Sequence, residues 1–186
     1  MRILVSGTSG GIGGAVAEAA RAAGSVVVAW NRADFENGTP LPEGPYDAFV
    51  FATGMCPVMP LSALSDDAFA EAVRVNCGLF VKMMREIVRC RLYAADGMKV
   101  VAVSSVSASE GWAGGAAYCA SKGALSAVCR ALDAELGPRG ISVTAVEPRY
   151  VKTRMFDGCA GRMGVPASEA QDPRELAEEI LKGVMK

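Results

Sequence analysis

Residues 116–125 read AAYCASKGAL and set Tyr118 four positions before Lys122. On a helix, positions i and i+4 are neighbours, so an ammonium would stand beside a phenol. A nearby positive charge favours phenolate. The pair therefore predicts a tyrosine pKa drawn down from about 10, where the ring oxygen can give or take a proton. The chain has no histidine, and a tuned tyrosine can do the acid–base work that histidine does elsewhere. A core tyrosine followed by a surface lysine gives the same spacing by chance, so the pair alone leaves both readings open.

A second cluster lies at the start of the chain, where SGTSGGIGGAVAEAA follows a short apolar run. Glycines at 7, 11 and 13 permit a tight turn and let an anion approach the backbone. The alanine-rich helix behind them would offer free N–H groups and the positive end of its dipole. No P-loop lysine is present, which disfavours nucleoside triphosphate hydrolysis, and the spacing differs from plain G-x-G-x-x-G. A merely structural turn would use the same glycines. Further on, the second apolar run ends in AWNRAD. Dinucleotide folds place here an acid for a ribose 2′-hydroxyl or an arginine for a 2′-phosphate. Arg32 is the candidate arginine and Asp34 the competing acid, with a solvated loop arginine as the bland alternative. The expected cofactor is NADP(H), with NAD(H) second.

These residues need elements to hold them. Strand-like runs occur at Ile3–Val5, Val26–Trp30, Ala48–Phe51, Val100–Val103 and Ile141–Val146. Helical patterns cover Ile12–Ala23, Asp66–Ala94 with a break near Asn76, Tyr118–Leu136 and Pro173–Met185. Alternation of this kind predicts βαβ units in a doubly wound parallel sheet, a Rossmann-type α/β fold, with ligands bound beyond the carboxyl ends of the strands. Gly137-Pro138 closes one helix, and Asp172-Pro173 opens the next. Residues 33–46, ADFENGTPLPEGPY, have no helical period and read as a loop holding at most a vestigial strand at Asp34–Phe35. The 186 residues, 51% of them hydrophobic, suit one domain spanning 1–186.

With 19 Lys+Arg against 20 Asp+Glu, the chain carries no footprint for nucleic acid or an anionic membrane. No stretch approaches the roughly 20 apolar residues of a membrane span, and the start does not resemble a secretory leader. A cytoplasmic protein is expected. Six scattered cysteines form no C-x-x-C pair, so no metal site is predicted and the thiols read as small buried hydrophobes.

Taken together, SGTSGGIG, VVAVSSVSA ahead of AAYCASKGAL, and RVNCGLF resemble the short-chain dehydrogenase/reductase family, in particular its 3-oxoacyl-carrier-protein-reductase-like members. The resemblance runs from Arg2 to about Met155. Gly7, Gly11 and Gly13, with Ser9 and Ile12, match the family's cofactor turn, Ser6 replacing its threonine. The resemblance implies a catalytic set of Asn76, Ser105, Tyr118 and Lys122. Tyr118 would be the acid–base, and Ser105 would hold the substrate oxygen and its developing charge. Lys122 would tune the tyrosine and bind the nicotinamide ribose, and Asn76 would hold a water in the proton relay. Ser104 competes with Ser105, but strand alternation should turn it elsewhere. Pro148, Val151 and Thr153 match the stretch that cups the carboxamide, and Gly54 is what remains of the family's N-N-A-G.

The departures are specific. Arg149 replaces a usual glycine and forms a basic cluster with Lys152 and Arg154, which fits either an anionic or acyl-carrier-bound substrate or a solvated loop. The 33–46 segment shortens the adenine side, and the usual last strand and tail are not expected. The implied activity is hydride transfer between NADP(H) and a carbonyl or secondary alcohol. A cofactor-binding, non-catalytic regulatory or redox-sensing protein is the alternative, and a sugar-nucleotide epimerase would need a further substrate domain. The Asn76–Arg91 helix, with Leu79, Phe80, Met83 and Met84, and the mostly Ala, Leu and Val helix Tyr118–Leu136 are more apolar than one sheet face needs, which suggests their pairing into a homodimer or homotetramer. Met55, Cys56, Val106, Trp112, Tyr150 and Met155 are candidate pocket-lining residues.

Overall fold

The computed structural model describes residues 1–185, with side chains described throughout except at 162 and 163. Five strands form one parallel sheet: β1 (Arg2–Ser6), β2 (Val26–Ala29), β3 (Ala48–Phe51), β4 (Met98–Val103) and β5 (Ile141–Val146), in the order β2-β1-β3-β4-β5. Successive side chains of a strand point to opposite faces, and the sheet uses both. Leu4, Phe49, Phe51, Val100 and Ala102 join one apolar cluster with Phe80, Met83 and Leu125. Ile3, Val5, Ala48, Val50 and Val101 join another with Val16, Ala20, Leu176 and Ile180. Helices therefore cover both faces, which is why the strands read as continuous apolar runs. The doubly wound arrangement expected from the sequence is the one found. The chain order reverses between β2 and β3 on either side of β1, and that switch point opens a crevice at the carboxyl ends.

The helices are α1 (Gly11–Ala22), α2 (Arg32–Glu36), α3 (Asp66–Val73), α4 (Leu79–Arg89), α5 (Ala116–Leu136), α6 (Arg154–Met163) and α7 (Pro173–Val184). Leu79, Phe80, Met83 and Met84 are each no more than 2% exposed, all within the chain's own core. The sheet face covers these four residues, so their apolar side chains are accounted for within the chain. Among the described residues, no helix is long and apolar enough to cross a membrane.

Three local features refine the sequence reading. Asp34–Phe35 is not a vestigial strand but part of α2. Asp34 Oδ2 accepts from the Asn31 N–H at 2.7 Å, and Asn31 Oδ1 accepts from the Thr8 N–H at 2.7 Å. The Asp34 cap on the Asn31 N–H starts a short helix where the apolar period is missing, and the Thr8 contact ties that start to the glycine turn. The break expected near Asn76 is present, as a π turn rather than a chain interruption. There α3 passes through the turn, Arg74–Gly78, into α4, and the extra residue of such a turn keeps the helix continuous while turning Asn76 inward. Finally, α6 was unforeseen. Thr153 Oγ1 accepts from the Phe156 N–H at 3.2 Å and starts it.

Gly7 and Gly13 fix the join between β1 and α1. Gly7 has φ +76°, and a Cβ there would lie 2.7 Å from the Ala52 carbonyl oxygen. A Cβ on Gly13 would lie 2.4 Å from the Gly7 carbonyl oxygen, closer than any side chain tolerates. Gly13→Ala is expected to lower unfolding free energy by about 3 kcal/mol. Gly158→Ala, in α6 with open space around it, should be neutral or stabilising by up to about 1 kcal/mol. Urea denaturation of both variants checks this, and equal effects would contradict the packing described.

Candidate active site

One turn of α5 is tied to the end of β4 by polar contacts in an otherwise apolar interface. Lys122 is 5% exposed, and its Nζ donates to the Val103 carbonyl at 2.8 Å. Ser104 Oγ donates to the Lys122 carbonyl at 3.1 Å. The Ser126 hydroxyl lies between Ser104 Oγ at 2.8 Å and Glu147 Oε1 at 2.7 Å. Ser104 thus faces α5 as alternation required, while Ser105 faces the crevice. Ser105 Oγ accepts from the Ser107 N–H at 3.1 Å, which leaves its proton free. Its hydroxyl lies near the Tyr118 phenol and acts against the rise in that group's pKa.

The electrostatics depart from expectation. Burial pushes the Tyr118 phenol above the ordinary tyrosine range, the Cys56 thiol adds to that, and the Ser105 hydroxyl works against it. Burial also draws Lys122 down to about 8. The Lys122 Nζ lies 5.7 Å from the Tyr118 ring centroid and is aimed at a backbone carbonyl. The ammonium therefore does not pull the phenol down. Desolvation outweighs it for both partners.

Asn76 is fully buried and clamps the loop after β3. Its Oδ1 accepts from the Met55 N–H at 2.7 Å, and its Nδ2 donates to the Met55 carbonyl at 2.9 Å and to Ser121 Oγ at 2.8 Å. A Cβ on Gly54 would lie 3.2 Å from Asn76 Oδ1 and 3.7 Å from Lys122 Nζ. Only a glycine backbone passes easily between that amide and that amine.

These groups border a cavity of about 240 Å³. Ile12, Gly54, Ser105, Tyr118, Lys122, Pro148, Val151 and Thr153 line it, as do Cys56, Val106, Trp112, Tyr150 and Met155. Met55 is not in the wall; it packs against the main core. Trp112 lies tilted against Tyr118, with ring centroids 6.4 Å apart. The Cys159 thiol, which the sequence left unassigned, also lines the cavity and interacts with Cys56, whose own thiol burial pushes up to about 12. No group of three or more metal-ligating side chains occurs among the described residues.

The glycine turn adjoins this cavity. Gly10 precedes α1 without any side-chain cap, so the first N–H groups of that helix are open to an anion. Thr153 Cγ2 would lie 3.3 Å from a Cβ on Gly11, and Arg154 Nη2 would lie 4.0 Å from one on Gly10. Arg154 has no ion-pair partner among the described residues. The turn, its exposed helix start and this cation fit the diphosphate of a dinucleotide. Gly7 and Gly13 shape the turn from behind, and Ser9 is exposed on it. Val151 pairs with Gln171 in an isolated parallel bridge, which frames the far side of the cavity. Arg32 lies apart from the cavity wall. Its guanidinium contacts Glu36 at 2.6 Å and Glu71 at 2.8 Å, in a network that includes Arg74. The basic cluster at 149–154 is likewise divided. Arg149 pairs with Glu110 at 2.8 Å, Arg154 stands at the glycine turn, and Lys152 is exposed.

A family model described as enoyl-(acyl carrier protein) reductase matches residues 42–177. The chain is 27% identical over 178 residues to an L-xylulose reductase of Bos taurus, covering 83% of this chain and 73% of that protein. It is 27% identical over 179 residues to a 3-oxoacyl-acyl-carrier-protein reductase of Rickettsia conorii, covering 83% and 74%. In fold it resembles a proposed NAD(P)-dependent gluconate 5-dehydrogenase from Beutenbergia cavernae with NADP bound at low occupancy. That likeness has a TM-score of 0.84 at 23% identity and covers 98% of this chain and 88% of that one.

The depressed Lys122 pKa has a measurable consequence. Its folded value of about 8 lies below its ordinary 10.5, so the unfolded chain binds the extra proton between those limits. Stability owed to this group is therefore absent at low pH and rises as pH climbs from 8 to 10.5. The unfolding free energy of the wild type relative to Lys122→Met should increase by roughly 3 kcal/mol across that window. A difference that stays flat with pH would contradict the buried amine.

Proposed function

Since the chain belongs to the short-chain dehydrogenase/reductase family, we propose that it is an NADP(H)-dependent carbonyl reductase in which Tyr118 delivers the proton. The observation that supports this most is the convergence of Tyr118, Ser105 and Lys122 on one cavity beside an uncapped glycine turn.

The roles follow from the contacts. When bound, the nicotinamide supplies or accepts the hydride. Ser105, with a lone pair engaged by the Ser107 N–H, keeps its own proton to donate to the oxygen that gains charge. Tyr118, whose burial keeps it a phenol at neutral pH, is the donor that neutralises that charge. A phenol held protonated favours reduction over alcohol oxidation. Lys122, near its own titration point, can return a proton to the phenol side of the cavity. Asn76 acts as a positioning residue, because its amide is committed to Met55 and Ser121. Gly7, Ser9, Gly11, Ile12 and Gly13 would hold the diphosphate with Arg154 beside them, and Pro148, Val151 and Thr153 would meet the carboxamide.

NADP(H) is preferred on the ribose side for two reasons. Asp34, the acid that could bind a 2′-hydroxyl, is engaged by the Asn31 N–H. Arg32 remains 41% exposed, and a phosphate dianion competes well with single carboxylates for a guanidinium. Glu36 and Glu71 hold that cation until the phosphate arrives.

Two experiments test the reading. Tyr118→Phe should lose about 10²-fold or more in kcat over a panel of ketones, while NADPH affinity measured by fluorescence titration changes little. Reduction by the wild type should be level through neutral pH. Undiminished turnover in the variant would remove Tyr118 as donor, and NADPH binding without turnover of any ketone would favour a regulatory role. For the cofactor, Glu71→Gln should tighten NADPH several-fold and leave NADH unchanged, and Arg32→Ala should weaken NADPH about tenfold. Equal responses of the two cofactors would contradict the assignment of Arg32.

A further inference from the structure

The mouth of the cavity is spanned by a charged pair drawn from two loops far apart in sequence. Glu110 lies between β4 and α5, and Arg149 lies between β5 and α6. Arg149 Nη2 donates to Glu110 Oε1 at 2.8 Å and Nη1 donates to Oε2 at 3.1 Å. The pairing is the bidentate fork in which guanidinium and carboxylate match best. Both residues line the cavity. The pair is 57% and 52% exposed, so it contributes little to stability. Its consequence is local: it decides what charge an incoming substrate meets.

Among the described residues, only three charged side chains line the cavity: Glu110, Lys122 and Arg149. Lys122 is directed at the Val103 carbonyl on the floor. Arg154 and Lys152 lie outside the wall. Arg149 is therefore the one cation at the mouth, and Glu110 occupies both prongs of its fork. An anionic substrate would have to displace that carboxylate and leave it facing its own charge. A neutral one would not. The rest of the wall is uncharged, apolar and aromatic side chains with the hydroxyls of Ser104, Ser105, Ser107 and Thr153 among them, and Trp112 and Tyr150 belong to it.

We propose that Glu110 is a specificity-determining residue that masks Arg149, so that the substrates of this site are uncharged, apolar or aryl ketones rather than keto acids. This rests on reading the cavity as a reductase site. The mask also implies its own reversal: without the Glu110 carboxylate, the same cavity presents a bare guanidinium and takes carboxylate-bearing ketones.

A matched substrate pair tests this. 4-Acetylbenzoate and its methyl ester differ only in the charge at the far end of the ring. With NADPH saturating, the wild type should favour the ester by about tenfold in kcat/KM. Glu110→Gln should shift the acid-to-ester ratio at least tenfold towards the acid. The double variant Glu110→Gln/Arg149→Gln should lose that shift, because no cation remains to be unmasked. A ratio unchanged within about twofold in Glu110→Gln overturns the proposal, as does a shift that survives in the double variant. Dissociation constants for both ketones, read from quenching of Trp112 in the cavity wall, give the same ratio without turnover. Absence of turnover in the wild type would therefore count against the reductase reading alone, while the binding ratio still decides the role of Glu110.

Discussion

A lysine amine buried against a single backbone carbonyl is the constraint around which the crevice is organised. Lys122 ties α5 to the last residue of β4, and the carbonyl of the same lysine accepts from Ser104 one residue further on. Two contacts of opposite sense at one residue fix both the height and the rotation of α5 over the sheet. Ser126 and Glu147 extend the tie to the residue just past β5. Tyr118, one turn earlier on the helix, is thereby set beside Ser105 without any strong contact of its own to hold it.

The opposite wall is fixed by an amide. Asn76 saturates itself on Met55 and Ser121 from inside a π turn, so the loop after β3, α4 and α5 meet at one side chain. Gly54 threads between that amide and the Lys122 amine. Burial raises the Tyr118 phenol and lowers the Lys122 amine on the same cavity.

Much of this was legible in the sequence, for identifiable reasons. Ala48–Phe51 and Ile141–Val146 were delimited as found, because buried parallel strands read as unbroken apolar runs flanked by glycine, proline or charge. The register of Ser104 and Ser105 followed from strand alternation, and the i, i+4 relation of Tyr118 and Lys122 from helix geometry. What failed was whatever depended on partners distant in sequence. Arg32 with Glu71 and Arg149 with Glu110 are each 39 residues apart, so charges read as free were in fact paired. The four apolar residues of α4 are buried against the sheet, whose depth is not visible in a helix pattern. Helix α6 was hidden by its glycines at 158 and 161, and its start is set by the Thr153 cap rather than by any periodicity. The sign of the tyrosine shift was missed because proximity to an ammonium is visible in a helix pattern and burial is not.

The most direct measurement is an NMR titration of the Lys122 side chain through its ¹⁵Nζ resonance, assigned by comparison with Lys122→Arg. The buried tie to Val103 requires a midpoint near 8 rather than near the ordinary 10.5. A midpoint in the ordinary lysine range would show a hydrated ammonium, and the account of a desolvated amine organising the crevice would be wrong.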